Sequence, residues 1–306
     1  MKVAIIGSNG FIAKHLAKAL SQTPSVELFL FGRSDHNLSG IETKYFCINL
    51  LEPRSFKHLL EGIDLVYYLN SDSIPSSSWH NPYLEVEQNL IPFLNFMEAA
   101  AKAKVKKVAF VSSAGTVYGT TNGKVAEDSN KQPFSPYGIM KLNMENFLNY
   151  YQIKHQIQFD IYRVSNVYGE GQNTSKGLGI INTFLEQIIS HAQVTVYGDG
   201  NNTRNYIYVE DVAQLMLHSV HHLNSSDIFN ISSNSTYSIN ELIEVMKGSI
   251  HETFEVNYQT SRQSDNSFID LDNQKISKMN PNFKFTDIEK GISKTYGFIK
   301  SQLQKK

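Results

Sequence analysis

Val3-Ala4-Ile5-Ile6-Gly7-Ser8-Asn9-Gly10-Phe11-Ile12-Ala13 opens the chain and decides its fold. The first four residues are a short apolar run of the kind buried inside a parallel sheet. Two glycines follow, three apart, and then an amphipathic helix over Phe11 to Leu20. Gly7 permits a tight turn. Gly10, with Asn9 beside it, lets the backbone approach a diphosphate, and the helix N-terminus at Phe11 and Ile12 offers unpaired amides to its charge. Ala13 is small enough for helix and sheet to pack closely. The spacing is G-x-x-G-x-x-A, not the usual G-x-G-x-x-G, and an ordinary strand–helix turn reads the same way in isolation.

Working outward, strands keep alternating with helices. Val26 to Phe31 is a second strand, ending at Gly32-Arg33-Ser34, and Lys44 to Ile48 a third, followed by Asn49-Leu50. A helix over Pro53 to Leu60 leads to a fourth strand, Leu65 to Leu69, with Asn70-Ser71-Asp72 at its tip. A long helix from Pro82 to Lys102 carries Asn89, and Pro92 predicts a kink in it. The fifth strand, Val108 to Val111, runs into Ser112-Ser113-Ala114-Gly115-Thr116-Val117-Tyr118-Gly119, and the sixth, Phe159 to Val164, ends at Ser165-Asn166. Six rounds of strand and helix predict an α/β fold with a doubly wound parallel sheet, whose ligands bind outside the carboxyl ends of the strands. The expected division is a nucleotide-binding Rossmann domain over 1–165 and a smaller α/β lobe over 166–306, with about 204–222 packing back on the first. In that lobe Ser238 and Glu241 form a capping box, and Arg204 and Arg262 are isolated arginines suited to phosphate or to surface ion pairs.

Composition narrows the class. The 306 residues are 41% hydrophobic and 19% charged, with a net charge of −1 at pH 7, which favours neither nucleic acid nor an acidic membrane surface. The single cysteine, Cys47, excludes an internal disulfide and is expected to be a buried small hydrophobe. The ten histidines show no metal-ligand spacing. Met1-Lys2 leads straight into an apolar run that stops at Gly7, so no signal peptide is read, and the cytoplasm is the expected location.

The chemistry centres on Tyr137-Gly138-Ile139-Met140-Lys141, read as the first turn of a helix after Pro136. Four residues apart, the phenol and the ammonium share one helix face. An ammonium beside a phenol is expected to lower its pKa from ~10 and so make it a usable base. Arg33, where an acid would accept from the ribose of NAD, tilts the choice weakly toward NADP.

These motifs, in this order, resemble the extended short-chain dehydrogenase/reductases of the nucleotide-sugar epimerase/dehydratase group. They are Gly7-x-x-Gly10-x-x-Ala13, Asn89, Ser112-Ser113 with Thr116-Val117-Tyr118-Gly119, Tyr137-x-x-x-Lys141, Arg163-x-x-Asn166-x-Tyr168-Gly169 and Arg204-Asn205-Tyr206-Ile207-Tyr208-Val209-x-Asp211. The resemblance implies NAD or NADP in the first lobe, near Gly7, Asn9, Gly10, Phe11, Ile12, Arg33, Asn49, Leu50, Leu69, Asn70, Ser71, Asn89, Ser112 and Val164. It implies a UDP-, dTDP- or GDP-linked sugar at Asn166, Arg204, Tyr206, Arg262 and Asp265. Tyr137 would take the proton of a sugar hydroxyl, and Lys141 would bind the nicotinamide ribose. A homodimer through the helices near Pro82–Lys102 and Tyr137–His155 is implied too.

Two departures sharpen the expected reaction. Many relatives carry a catalytic Ser or Thr four residues before the tyrosine of Val-Tyr-Gly, where this chain has Ala114, so that hydroxyl comes from Ser113 or Thr116 or is missing. The family's 4,6-dehydratases and decarboxylases carry a glutamate two residues before that tyrosine, where Thr116 stands here, so both are argued against. A hydroxyl cannot replace a carboxylate as general base, which argues against elimination. Epimerisation is expected first, reduction of a 4-keto sugar second, and a non-catalytic NAD(P)-binding sensor third. Epimerisation favours a tightly held NAD.

Overall fold

The structure, a computed structural model, describes residues 1–121, 123–175, 179–260 and 270–304. Its main sheet has seven strands, β1 Lys2–Ile6, β2 Glu27–Gly32, β3 Lys44–Cys47, β4 Leu65–Tyr68, β5 Lys107–Ser113, β6 Gln158–Val164 and β7 Asp227–Ile231. Their order is β7-β6-β5-β4-β1-β2-β3. The pairings from β3 across to β6 are all parallel, with Ile5 opposite both Leu30 and Tyr67. The doubly wound fold expected from the alternation is therefore present, with one more strand than the six read from the sequence.

Helices cover the sheet because its central strands are apolar on both faces. Val3, Ala4, Ile5, Leu65, Val66, Tyr67 and Val108 are wholly buried. Helix α1, Phe11–Ser21, turns Leu16, Ala17 and Leu20 inward. Helix α2, Ile91–Lys102, buries Phe93, Phe96 and Met97, and the Phe93 and Phe96 rings lie 5.2 and 5.0 Å from that of Tyr68. A short helix α3, Ala114–Val117, follows β5, and α4, Pro136–His155, carries the Tyr-x-x-x-Lys motif. The Ser135 hydroxyl caps α4 by accepting from the Gly138 amide at 3.1 Å, and Pro136 fills the first helical position, where no amide is needed.

Several expectations are corrected. The segment Pro53 to Leu60 forms two short 3₁₀ turns, Pro53–Ser55 and Lys57–Leu60, interrupted where Phe56 is fully buried. The helix expected from Pro82 is irregular, with a helical turn at Tyr83–Glu85 and π geometry at Val86–Leu90 before α2. Pro92 has no amide to continue the α-ladder, and the wider turn just ahead of it absorbs the fault. Cys47 ends the edge strand β3 and is exposed, not buried.

The chain divides into two compact units, the first comprising Met1–Gly119, Asn130–Val164 and Ala213–Phe229, the second the remainder. This differs from a single boundary near 165 in two places. Thr120–Ser129 belongs to the second unit, because Lys124–Val125 pairs with Asp270–Leu271 and the Asn230 amide donates to the Val125 carbonyl. Ala213–Phe229 returns to the first, while the part of the expected 204–222 segment before it stays in the second. The second unit holds a three-stranded sheet in which Thr203–Tyr208 lies between Asn166–Tyr168 and Thr236–Ser238. No helix among the described residues is long and apolar enough to cross a membrane.

Candidate active site

The glycine turn is fixed by its neighbours. Gly7 has φ +83°, and a Cβ there would meet the Asn70 backbone nitrogen at 2.9 Å, so both conformation and space require glycine. Gly10 caps α1 without a side-chain bond, and the first amide with an intrahelical acceptor is that of Lys14, to the Gly10 carbonyl at 3.1 Å. The amides of Phe11 and Ile12 are thus left for an anion. Ser8, in the same turn, is wholly buried with no partner for its hydroxyl. These features fit the diphosphate of a dinucleotide.

Around the turn the side chains are more committed than the sequence implies. Asn9 donates to the Tyr45 hydroxyl at 3.2 Å and accepts from the Leu38 amide at 2.9 Å, tying the turn to the loop after β2. Arg33 is ion-paired with Asp72 at 2.7 Å, so its guanidinium already faces a carboxylate. Asn49 accepts from the Leu51 amide and donates to Glu52, serving its own turn. The Leu50 carbonyl accepts from Asn95, and the Leu69 amide donates to the Ile6 carbonyl. Val164, ending β6, is buried.

At the start of α4, Tyr137 is half-buried and Lys141 is 4% exposed. The Lys141 ammonium donates to the Val111 carbonyl at 3.0 Å and lies 5.5 Å from the centre of the Tyr137 ring. The expected depression of the phenol is not found. Desolvation pushes Tyr137 up to about 12, the Ser71 hydroxyl acts against that rise, and the Glu85 carboxylate adds to it. Desolvation also brings Lys141 down to about 8, while the carboxylates of Glu85 and Glu145 oppose the fall. Lys141, brought down to about 8, has lost its proton before a phenol at about 12 ionises, so it carries no charge that could lower Tyr137 there.

Behind the pair lies a closed polar network. Arg163, 1% exposed, donates from Nη2 to Glu145 at 2.7 Å and from Nη1 to the Tyr118 hydroxyl at 2.8 Å. The Ser112 hydroxyl donates to Glu145 at 2.5 Å, so its side chain braces β5 against α4. Ala114 is wholly buried, and Ser113 and Thr116 are half-buried, with Thr116 Oγ1 donating to the Ser113 carbonyl at 3.4 Å. Gly138 packs so closely on α3 that a Cβ there would come within 2.4 Å of the Thr116 carbonyl oxygen.

Asn89 is buried in the π turn, accepts from the Asp72 amide at 2.8 Å and donates to Ser73 at 3.0 Å and Glu85 at 3.2 Å. Glu85 and Ser73 were not singled out from the sequence. The available signal was a glutamate four residues before Asn89, a spacing that places two side chains together on a helix.

In the second unit, Asn166 and Tyr206 lie opposite each other on paired strands, two residues after Arg204. Asn166 donates to the Asn205 carbonyl at 3.0 Å, and Tyr206 lines a cavity of about 270 Å³ with Tyr168, Ser233, Tyr237 and Phe283. Arg262 and Asp265 lie outside the described residues.

The profile of the NAD dependent epimerase/dehydratase family matches residues 3–232. The chain is 28% identical to dTDP-4-dehydro-6-deoxyglucose reductase of Escherichia coli over 88% of each chain. It is 26% identical to UDP-glucose 4-epimerase of Mycolicibacterium smegmatis over 79% of this chain and 77% of that one. The structure of Thermus thermophilus UDP-glucose 4-epimerase in complex with NAD has the same fold, with a TM-score of 0.89, 24% identity and coverage of 97% of this chain and 98% of that one.

Proposed function

Given that the chain belongs to the NAD dependent epimerase/dehydratase family, we propose that it is an NAD-dependent 4-epimerase of a nucleoside-diphosphate sugar, working as a cytoplasmic homodimer. The observation that carries this reading is the Tyr137–Lys141 pair, desolvated on one unit with the glycine turn. The Gly7–Gly10 turn and the Phe11 and Ile12 amides would hold the cofactor's diphosphate. Lys141 and Asn89 would hold the nicotinamide end. When bound, NAD supplies the acceptor, and then the donor, of a hydride at the sugar carbon.

Tyr137 takes the proton of the sugar hydroxyl as that carbon becomes a carbonyl, and returns it when the other epimer forms. A phenol at about 12 is a poor base at neutral pH, so a positive charge brought beside it must lower it in the loaded enzyme. A hydroxyl from Ser113 or Thr116 would steady the reacting oxygen. Asn166, Arg204, Tyr206, Arg262 and Asp265 would take the nucleotide. The UDP-sugar epimerases among the similar proteins favour UDP over dTDP or GDP. Ile139, Tyr150 and Ile153 on α4, exposed by 47, 45 and 84%, would supply one face of the dimer.

Elimination is disfavoured because Thr116, which only donates to a neighbouring carbonyl, stands where a dehydratase needs a carboxylate. The second reading is a reductase of a nucleotide-activated 4-keto sugar, supported by the Escherichia coli relative. It would need a cofactor that exchanges each turnover, and the Arg33–Asp72 pair speaks against a 2′-phosphate at that corner.

The test is the purified protein alone with UDP-glucose. Formation of UDP-galactose without added cofactor, together with NAD released on denaturation, is expected. Stoichiometric consumption of NADPH by a 4-keto sugar, with no epimerisation, would replace this reading by the second.

A further inference from the structure

The order of the strands sets one ion pair across the crevice where a dinucleotide would lie. That order reverses between β1 and β4, and in an open parallel sheet the ligand sits outside the carboxyl ends at the reversal. Ile6, the last residue of β1, has Phe31 of β2 on one side and Tyr68 of β4 on the other. Arg33 follows β2 and Asp72 follows β4. The 2.7 Å contact between Arg33 Nη2 and Asp72 Oδ1 therefore crosses the line of β1 beyond its carboxyl end, where the Gly7–Gly10 turn begins.

Both loops are anchored independently of the pair. The loop carrying Arg33 is held by the Tyr45 hydroxyl, which donates to the Ser34 carbonyl at 2.6 Å. Asn9 holds it too, donating to the His36 carbonyl at 3.3 Å and accepting from the Leu38 amide at 2.9 Å. The loop carrying Asp72 is held by Asn89, whose Oδ1 accepts from the Asp72 amide at 2.8 Å. Rotation of two side chains is thus enough to part the pair, with no change of backbone. The Arg33 side chain is 70% exposed and that of Asp72 18%, so the contact is solvated and weak enough to open often.

We propose that Arg33 and Asp72 form a strap across the cofactor crevice, which opens for the dinucleotide to enter or leave and closes again once it is seated. The proposal rests on reading the Gly7–Gly10 turn as the diphosphate site. A strap that is closed in the empty and the loaded protein alike slows entry and exit together and leaves the affinity nearly unchanged. Slow exchange suits an enzyme that regenerates its own cofactor in each cycle.

The test uses the protein as purified, its nucleotide exchanged for NADH. Exit is followed by stopped-flow fluorescence as excess NAD displaces NADH, and affinity by equilibrium titration with NADH. Asp72→Asn keeps the shape of the side chain and removes its charge. It should speed exit by ~2- to 5-fold, the range set by an exposed ion pair, with Kd nearly unchanged. Adding Arg33→Met to Asp72→Asn should change little, because the strap is already open. High salt should bring the wild-type exit rate toward that of Asp72→Asn, because it screens an exposed pair. Unchanged or slower exit in Asp72→Asn overturns the proposal. So does a Kd that weakens in step with faster exit, or a double variant whose effect is the product of the two singles, since each side chain would then touch the cofactor on its own account. A wild type that binds no NADH would remove the proposed function together with the strap. NADH bound, with exit indifferent to Asp72→Asn, would remove the strap alone.

Discussion

At the residue scale, the Tyr137–Lys141 pair shows what spacing can and cannot tell. Four residues on a helix guarantee a shared face, and the side chains do share one. The direction of the electrostatic effect depends on desolvation, which a sequence does not display. Tyr137→Phe removes only the ionisable oxygen. Turnover should fall by ~10² to 10⁴-fold while NAD remains bound, read by product formation and by cofactor released on denaturation. Unchanged turnover would rule out the phenol as base. Lys141 also makes stability depend on pH. Its folded midpoint, about 8, lies below the ordinary 10.5, so between those values the unfolded chain binds a proton that the folded chain has released. Stability therefore rises with pH across that window. Relative to Lys141→Met, the wild type should gain on the order of 3 kcal/mol by urea unfolding between its two ends. A flat difference would mean that the ammonium is not desolvated.

At the element scale, the site depends on α3 and α4 meeting closely. Gly138 is in the first turn of α4, and its missing side chain leaves room for the Thr116 carbonyl. Gly138→Ala must push the two helices apart or bend α4, which should cost ~1–3 kcal/mol and lower kcat by moving Tyr137 away from the Ser113–Thr116 hydroxyls. Thermal unfolding with kcat would report both, and an unchanged melting temperature would show that the close approach is relaxed in solution. The same scale explains which elements could be read from the sequence. β1, the glycine turn and α1 were legible because their signals are local: an apolar run, two glycines and a helical period. The capping box of Ser238 and Glu241 was legible for the same reason, and both of its bonds are present. The π turn was only half legible: Pro92 announced a fault but not that the ladder would widen before it. Cys47 was misread because its apolar neighbours suggested a buried strand, whereas β3 lies at the sheet edge. Edge position is a property of strand order, which local patterning does not encode.

At the scale of the whole molecule, a return of the chain to the first domain was expected for about 204–222, and Ala213–Phe229 belongs to the first unit; what fastens it there was not legible. A buried polar cluster holds it there. The Lys107 ammonium lies 2.6 Å from Asp160, both side chains being fully buried, and donates to the carbonyls of His222 at 2.6 Å and Ser225 at 2.9 Å. Ser219 donates to Asp160, and the Tyr67 and Tyr162 hydroxyls donate to the Met216 carbonyl. In the sequence Lys107 reads as a charge at a strand edge and Asp160 as an interruption of an apolar strand. Only the register of β5 on β6, with Lys107 opposite Gln158 and Ala109 opposite Asp160, brings them together. Asp160→Ala would leave the ammonium buried against carbonyls alone. The expected loss is ~3–5 kcal/mol, because an uncompensated buried charge costs more than the pair contributes. Lys107→Met added to Asp160→Ala should recover much of it, since the stranded charge is then gone. Urea unfolding of the two single variants and the double variant measures the coupling. If the double variant is no more stable than Asp160→Ala alone, the cluster's hydrogen bonds, not its charges, fasten the returning segment to the sheet.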